Sequence, residues 1–209
     1  YLFLHELTLA ASATTDNRKT EMTVKYKNYS IDVSDDQAYS INSADNTSRY
    51  DHVYFDGATN EDRVYPTSKH GIRVRLADKE VASALISEVG GATTIHNKSF
   101  VIADNSLLIC CCDKVYSLNL PDLSKNWSKR IDPDTCFGIY SFDNDFIVHG
   151  ELCITRIDKN GNEKWQFGAQ DIWVTPDGKE SFSIQGDKIF LTDWEGYKYI
   201  LDKNGVEVN

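Results

Sequence analysis

The 209-residue chain has one methionine, four prolines and no apolar run near the roughly 18 residues that a membrane helix needs. It also lacks a glycine-rich phosphate-binding or dinucleotide-binding motif, and it has no G-x-S-x-G nucleophile elbow. Its five histidines are scattered along the chain, so no Ser–His or Cys–His pairing is visible in the residue order. These absences predict a protein that does not enter the membrane, and they give no positive indication of an enzyme.

Cysteine is scarce, and three of the five cysteines are adjacent at residues 110–112. An odd number of cysteines without the spacing of a secreted domain favours free thiols in a reducing compartment. The opening segment YLFLHELTLAASA has no basic region and is interrupted by His5 and Glu6, unlike a secretory signal peptide. We therefore expect this segment to begin the first strand and the protein to be cytoplasmic.

Basic residues are fewer than acidic ones, with 22 Lys and Arg against 32 Asp and Glu and a formal net charge of −10. An acidic surface repels phosphate backbones, so we expect no nucleic-acid partner and favour a basic protein partner instead. The apolar fraction of 41 % fits a folded domain, and the aromatic fraction of 11 % favours strands.

Residues 1–90 predict a β-rich N-terminal part with one helix. The segment TEMTVKYKNYSIDVS alternates apolar and polar side chains, which is typical of a half-buried hairpin with its turn near Lys27 and Asn28. DHVYFDG and HGIRVRL predict further strands. The segment DKEVASALISEVGG predicts a short helix near residues 79–89, because Asp78 can cap its start and the Gly-Gly pair can end it.

The rest of the chain divides into three similar units, at about residues 91–131, 132–168 and 169–209. Each unit contains short apolar strands separated by tight polar turns. Trp127 and Trp165 occupy equivalent places, 38 residues apart. A pitch of about 40 residues with four strands is what one blade of a β-propeller requires.

The segment RIDKNGNEKWQF, at residues 156–167, resembles the repeat of PQQ-type quinoprotein propellers, in which an apolar strand, an Asp, a turn with Gly and a strand-borne Trp recur. The resemblance covers residues 91–209. It implies a mainly all-β protein: a propeller-like array of about three four-stranded repeats, preceded by the β-rich part. Three units are too few to close a ring. Either residues 1–90 supply further irregular blades, or the repeats form an open stack of sheets capped by the N-terminal part. We favour a small or incomplete array whose sheet edges can pair with another copy.

The resemblance does not extend to the quinoprotein activity. Those enzymes hold their cofactor on the axis of a complete large propeller, together with a calcium ion. This chain is too short to build such a funnel, so we expect no cofactor.

The stretch LLICCCDKVYSL allows a metal site, a redox device or the filling of a buried strand. If Asp113 and Lys114 form the turn, Cys112 pairs with Val115, and the pleat sends the first and third cysteines to one face and the second to the other. Adjacent cysteines supply a tetrahedral metal site poorly, because such sites use spacings like C-x-x-C. The resemblance would allow a disulfide between neighbouring cysteines. We favour buried strand filling and expect no metal.

Two turns with the sequence DKNG begin at Asp158 and Asp202. Asp158, Asn160 and Asn162 match the first, third and fifth positions of a calcium-binding loop, but the twelfth position is Ala169, where a bidentate Glu is needed. Asn and Gly tolerate positive φ, so both segments are predicted to be hairpin turns.

Alignment of the three units places Asp113-Lys114, Gly150-Glu151 and Asp193-Trp194-Glu195 at equivalent turns. Such turns project on the same side of an array and are predicted to form an acidic rim around an aromatic anchor, which suits a basic partner. The alternative is a set of solvated hairpin tips with the Trp side chain folded back. The predicted partner-binding residues are Asp113, His149, Glu151, Asp193, Trp194 and Glu195.

The sequence thus favours a non-enzymatic protein-binding scaffold, for which a bacterial immunity or inhibitor protein against a basic toxin is one instance. The alternative is a hydrolase-like enzyme whose site is assembled in space from Cys111, His149 and Glu151. The enzyme requires a concave pocket that brings these side chains within hydrogen-bond reach.

Overall fold

The computed structural model describes residues 21–57, 59–60 and 65–208, and these residues form four β-sheets. The strand predicted at the start of the chain, within residues 1–20, lies outside the described residues. In chain order the strands are β1 (Glu21–Tyr26), β2 (Tyr29–Asp35), β3 (His52–Tyr54), β4 (Ser68–Leu76), β5 (Lys79–Glu88), β6 (Phe100–Ala103), β7 (Ser106–Cys111), β8 (Lys114–Asn119), β9 (Lys125–Arg130), β10 (Cys136–Phe142), β11 (Asp145–Gly150), β12 (Ile154–Ile157), β13 (Glu163–Phe167), β14 (Phe182–Gln185), β15 (Lys188–Thr192) and β16 (Lys198–Leu201).

The first sheet has the order β1-β2-β4-β5-β3, and β3 runs parallel to β5 while the other pairs are antiparallel. The β1–β2 hairpin turns at Lys27 and Asn28, as predicted. Lys27 has φ 53°, the left-handed conformation that a tight hairpin turn requires.

The helix predicted near residues 79–89 is wrong, because Lys79–Glu88 is strand β5, which lies inside the first sheet. This strand is buried continuously from Ala82 to Glu88, between β4 and β3. A strand covered on both faces has an unbroken run of buried side chains, which cannot be distinguished from a buried helix by periodicity alone. Asp78 lies in the β4–β5 turn beside Ala77, whose φ is 52°, and does not cap a helix.

Three antiparallel sheets follow, in the orders β6-β7-β8-β9, β10-β11-β12-β13 and β14-β15-β16. The all-β class with four-stranded, propeller-like repeats is therefore confirmed for the first two units. The fourth sheet has three strands, and the segment after its DKNG turn forms only a single bridge between Leu201 and Glu207. Among the described residues, no helix is long and apolar enough to cross a membrane.

Apolar clusters hold each sheet against the next. The first sheet packs on the second through Ile31, Val33, Ile72, Val74, Ile86, Leu107, Ile109, Tyr116 and Leu118. The second packs on the third through Leu108, Cys110, Val115, Ile139, Phe146, Val148 and Ile157. The third packs on the fourth through Ile147, Ile154, Trp173, Phe182, Ile189, Leu191 and Leu201. The sheets therefore form a row in which each contacts its neighbours.

The same tryptophan contact joins successive repeats. Trp127 Nε1 donates to the carbonyl of Lys159 at 3.2 Å, and its ring lies on Gly161 in the next DKNG turn. Trp165 Nε1 donates to the carbonyl of Lys203 at 3.0 Å, and its ring lies on Gly205. The equivalence of the two tryptophans therefore has a structural cause, since each fastens one sheet to the turn of the following sheet.

The DKNG segments are hairpin turns, as predicted. The Asp158 carboxylate accepts hydrogen bonds from the backbone N–H groups of Asn160 and Asn162, both at 2.8 Å. Asp202 accepts the equivalent bonds from Asn204 and Val206, at 2.8 and 2.9 Å. The carboxylates cap their own turns, which explains the Asp that begins each one.

Candidate functional site

The β7–β8 turn consists of Cys112 and Asp113, so the prediction that Asp113 and Lys114 form it is wrong by one residue. Cys111 pairs with Lys114, and Cys112 has φ 53° in the turn. Cys residues rarely adopt this conformation, so nothing in the sequence indicated it. The side chain of Cys110 packs toward the third sheet, whereas Cys111 and Cys112 pack toward the first. The prediction that Cys110 and Cys112 share a face is therefore wrong, because Cys112 lies in the turn and does not continue the pleat.

Asp113 was predicted to be an exposed rim charge, and the structure shows it largely buried. Its carboxylate pairs with Arg130 Nε at 2.8 Å and with Lys114 Nζ at 3.0 Å. Lys114 also pairs with the buried carboxylate of Glu88 at 2.9 Å. The negative charge of Asp113 is thus balanced by Arg130 and Lys114, and the carboxylate is not free for a partner.

Asp193 is also buried, with 0 % of its surface exposed. Its carboxylate accepts one bond from the backbone N–H of Tyr197 at 2.9 Å and another from the hydroxyl of Tyr199 at 2.9 Å. Asp193 therefore fixes the shape of the β15–β16 turn and does not offer its charge to a partner.

Trp194 and Glu195 are exposed, and the half-buried Glu151 lies near them. Trp194 is 43 % exposed, and Glu195 beside it is also exposed. The backbone N–H of Trp194 donates to Ile172 at 3.0 Å, and that of Trp173 donates to the carbonyl of Glu151 at 2.8 Å. The adjacent residues Ile172 and Trp173 thereby connect the turn of the second repeat with that of the third, which places Glu151 near Trp194.

Sequence reasoning missed two apolar members of this surface. Tyr197 is 60 % exposed at the end of the same turn, and Leu152 is 39 % exposed beside Glu151. The sequence could have indicated Tyr197, because Trp194 and Tyr197 lie on either side of Glu195 and Gly196 in the same polar turn. We call the set Glu151, Leu152, Trp194, Glu195 and Tyr197 the aromatic rim.

His149 lies beneath the aromatic rim and is buried. Its Nε2 lies 3.2 Å from the carbonyl oxygen of Trp173, and its ring stacks on Phe182 with 4.8 Å between centroids. Burial lowers the pKa of His149 to about 4. The ring is therefore neutral near pH 7 and supports the rim from below without reaching its surface.

The residues of the alternative enzyme site do not converge. Burial raises the pKa of Cys111 well above its ordinary value, so its thiol is a poor nucleophile. Cys111 belongs to the cluster between the first two sheets, while His149 packs on Phe182 in the last sheet. Within the described part of the chain, no group of three or more His, Cys, Asp or Glu is arranged to hold a metal ion.

No protein-family model and no curated protein matches the chain. Several solved structures are similar to it in shape. The designed Ika8 protein matches with a TM-score of 0.48 and 8 % identity, over 94 % of this chain and 59 % of that one. The AfRom2 CNH domain matches with a TM-score of 0.45 and 9 % identity, over 90 % and 66 %. The Neurospora crassa Pan2 WD40 domain matches with a TM-score of 0.43 and 15 % identity, over 54 % and 36 %. The propeller-like assignment rests on the chain's own four-stranded sheets.

Proposed function

We propose that the chain is a non-enzymatic scaffold that binds a basic protein through the aromatic rim. The observation that carries the proposal is the exposure of Trp194 and Tyr197 on one turn, at 43 % and 60 %. Large aromatic side chains are the commonest anchors of protein interfaces, because they bury much apolar area with little loss of conformational freedom.

Two features make this turn suited to binding. The buried Asp193 carboxylate fixes the turn before any partner arrives, so less conformational entropy is lost on association. Glu151 and Glu195 supply negative charge next to the rings, and the whole chain has a net charge of −10. Both favour a partner with Lys and Arg around an apolar recess.

The narrower proposals are that the repeats are of the PQQ type, that the protein is cytoplasmic and bacterial, and that it neutralises a basic toxin as an immunity or inhibitor protein. Its acidic surface supports the choice of a basic target. Self-association through sheet edges is a separate proposal, and sedimentation velocity across a concentration series tests it.

Affinity capture with the tagged chain, followed by mass spectrometry, tests the rim. We expect a basic protein to be captured by wild type and lost with Trp194→Ala or with Glu151→Lys and Glu195→Lys combined. Tyr65→Ala is the matched control, because Tyr65 is 74 % exposed and lies outside the rim.

A second control separates local from overall charge. Asp187→Lys makes the same kind of charge reversal at an exposed residue in the β14–β15 turn, at the other end of the last sheet. If the captured protein is lost equally with Asp187→Lys, or kept by all rim variants, the aromatic rim is not the binding surface.

A further inference from the structure

An open cleft of about 890 Å³ lies between the second and third sheets. It is bordered by the β6–β7 and β10–β11 turns, so it lies at the end of the sheets opposite the aromatic rim. We call it the inter-repeat cleft. Its side chains include Ser106, Ser117, Asn126, Trp127, Ser141 and Phe146.

The next interface provides an internal comparison, because the repeats align residue by residue. Ser117 pairs with Trp127 across β8 and β9, just as Arg156 pairs with Trp165 across β12 and β13. By the same alignment Ser106 corresponds to Asp145. Asn126 and Lys164 are likewise equivalent, since each directly precedes its tryptophan.

In the interface between the third and fourth sheets, the equivalent residues fill the space. Arg156 donates to Asp145 at 2.7 Å and to the carbonyl of Lys203, and Lys164 Nζ also contacts Asp145 at 2.7 Å. The space that remains there is about 360 Å³. The inter-repeat cleft therefore exists because, between the second and third sheets, three small polar residues replace an ion-paired Asp, Arg and Lys.

The cleft offers mainly neutral hydrogen-bonding groups. Asn126 Nδ2 donates to the hydroxyl oxygens of Ser106 and Ser117 at 3.2 and 3.4 Å. Ser117 is buried, whereas Asn126 is exposed and the half-buried Ser106 keeps its hydroxyl hydrogen able to donate. Ser141 and Asn144 add a further hydroxyl and amide, and neither makes a side-chain hydrogen bond to the part of the chain that the structure describes.

Three of the five charged residues at the cleft are engaged elsewhere, and the other two, Asp104 and Lys159, are exposed and of opposite charge. Asp145 is paired with Arg156 and Lys164, Asp143 contacts Arg156 at 3.4 Å, and Asp158 caps its own turn. These contacts offset the negative charge of the three carboxylates, so little of it is available to a ligand. Such a lining disfavours an anion and does not hold a metal ion, so it suits an uncharged ligand rich in hydroxyl groups.

The apolar side of the cleft has complementary chemistry. The half-buried Trp127 supplies its accessible apolar surface, while Leu108 and Phe146 also line the cleft but are almost fully buried. A sugar ring presents hydroxyls at its rim and C–H groups on its faces, and so can contact both kinds of lining. We propose that the inter-repeat cleft binds a neutral saccharide, with the Ser and Asn side chains contacting its hydroxyls and Trp127 its apolar face.

Ligand-observed NMR with the methyl glycosides of glucose, galactose, mannose and N-acetylglucosamine tests the proposal on the full chain. We expect saturation transfer to at least one of them, at the ring hydrogens. The combined variant Ser106→Asp, Ser117→Arg and Asn126→Lys introduces the ion-paired residues found between the third and fourth sheets and should fill the cleft. Binding should weaken at least about tenfold, because several hydrogen bonds are lost together.

Two further variants make the result decisive. Ser117→Arg alone introduces the large side chain that residue 156 has in the next repeat, and it should give the same loss if the combined variant does not fold. Trp194→Ala changes the aromatic rim and should leave glycoside binding unchanged. Absence of transfer to all four glycosides in wild type, unchanged binding in the filled variants, or stronger binding of glucuronate than of glucose would each overturn the proposal.

Discussion

His149 should make the protein less stable in acid. The ring is buried between the third and fourth sheets, where its Nε2 faces the carbonyl of Trp173, and burial lowers its pKa from 6.5 to about 4. Between these two pH values the unfolded chain binds the proton and the folded protein does not. The corresponding stability is therefore complete above about pH 6.5 and is lost as the pH falls toward 4.

The size of the effect follows from the shift. Each pKa unit corresponds to about 1.4 kcal/mol, so the loss at pH 4 is about 3 kcal/mol as an upper value. His96 is the titratable group that acts on His149 through its charge, and it lowers the pKa of His149 further when protonated. Relaxation of the acid form would make the measured loss smaller than this value.

Urea unfolding at about pH 7 and about pH 4.5 measures the loss, with wild type compared against His149→Gln. The Gln side chain keeps an N–H donor for Trp173 but does not titrate, so its packing cost is the same at both pH values. We expect the wild-type free energy of unfolding to fall between the two pH values by about 2 kcal/mol more than that of the variant. His96→Gln should show a smaller difference of the same sign. Equal losses in wild type and His149→Gln would refute a buried neutral imidazole.

Gly161→Ala should cost about 1–3 kcal/mol more than Gly178→Ala. Both positions have positive φ, but a Cβ at residue 161 would lie 2.9 Å from the Trp127 ring, whereas nothing lies within 4 Å at residue 178, and thermal unfolding compares them. Asp113→Asn should destabilise by about 1 kcal/mol, a value discounted because Arg130 is partly exposed, while Asp177→Asn should change nothing measurable in the same assay. Native labelling with iodoacetamide should modify the half-buried Cys153 before the fully buried Cys111, and peptide mapping reads the order. Modification of Cys111 first would show that the first two sheets separate readily.

The repeat architecture could be predicted because its signals are local. Trp127 and Trp165 recur at one place in each unit, and the Asp and Gly of each DKNG turn have a physical reason to be there. Each turn is capped by its own Asp carboxylate, and its glycine leaves room for the tryptophan ring of the preceding repeat. Such features lie within a few residues of one another or recur at a fixed spacing, so the sequence contains them directly.

The errors arise where distant residues decide the outcome. Asp113 and Asp193 lie at turns, and a carboxylate at a turn is ordinarily exposed. Asp113 is buried because Arg130 lies on a strand that pairs beside it, and Asp193 because the backbone of Tyr197 folds back onto it. Likewise, β5 is a strand because β4 and β3 lie on either side of it. None of these neighbours can be identified from the local pattern.

The two faces of the first sheet differ from each other. Its inner face packs on the first repeat, whereas its outer face has charged pairs, including Arg73 with Glu80 at 2.8 Å and Asp32 with Arg75. Among the described residues this sheet lies at one end of the row, and such a unit acts as a cap on the adjacent repeat. Since each sheet contacts its neighbours, this cap stabilises β6–β9 and has no direct part in the β11–β12 and β15–β16 turns. Substitutions such as Glu80→Ala should therefore alter stability without altering the aromatic rim.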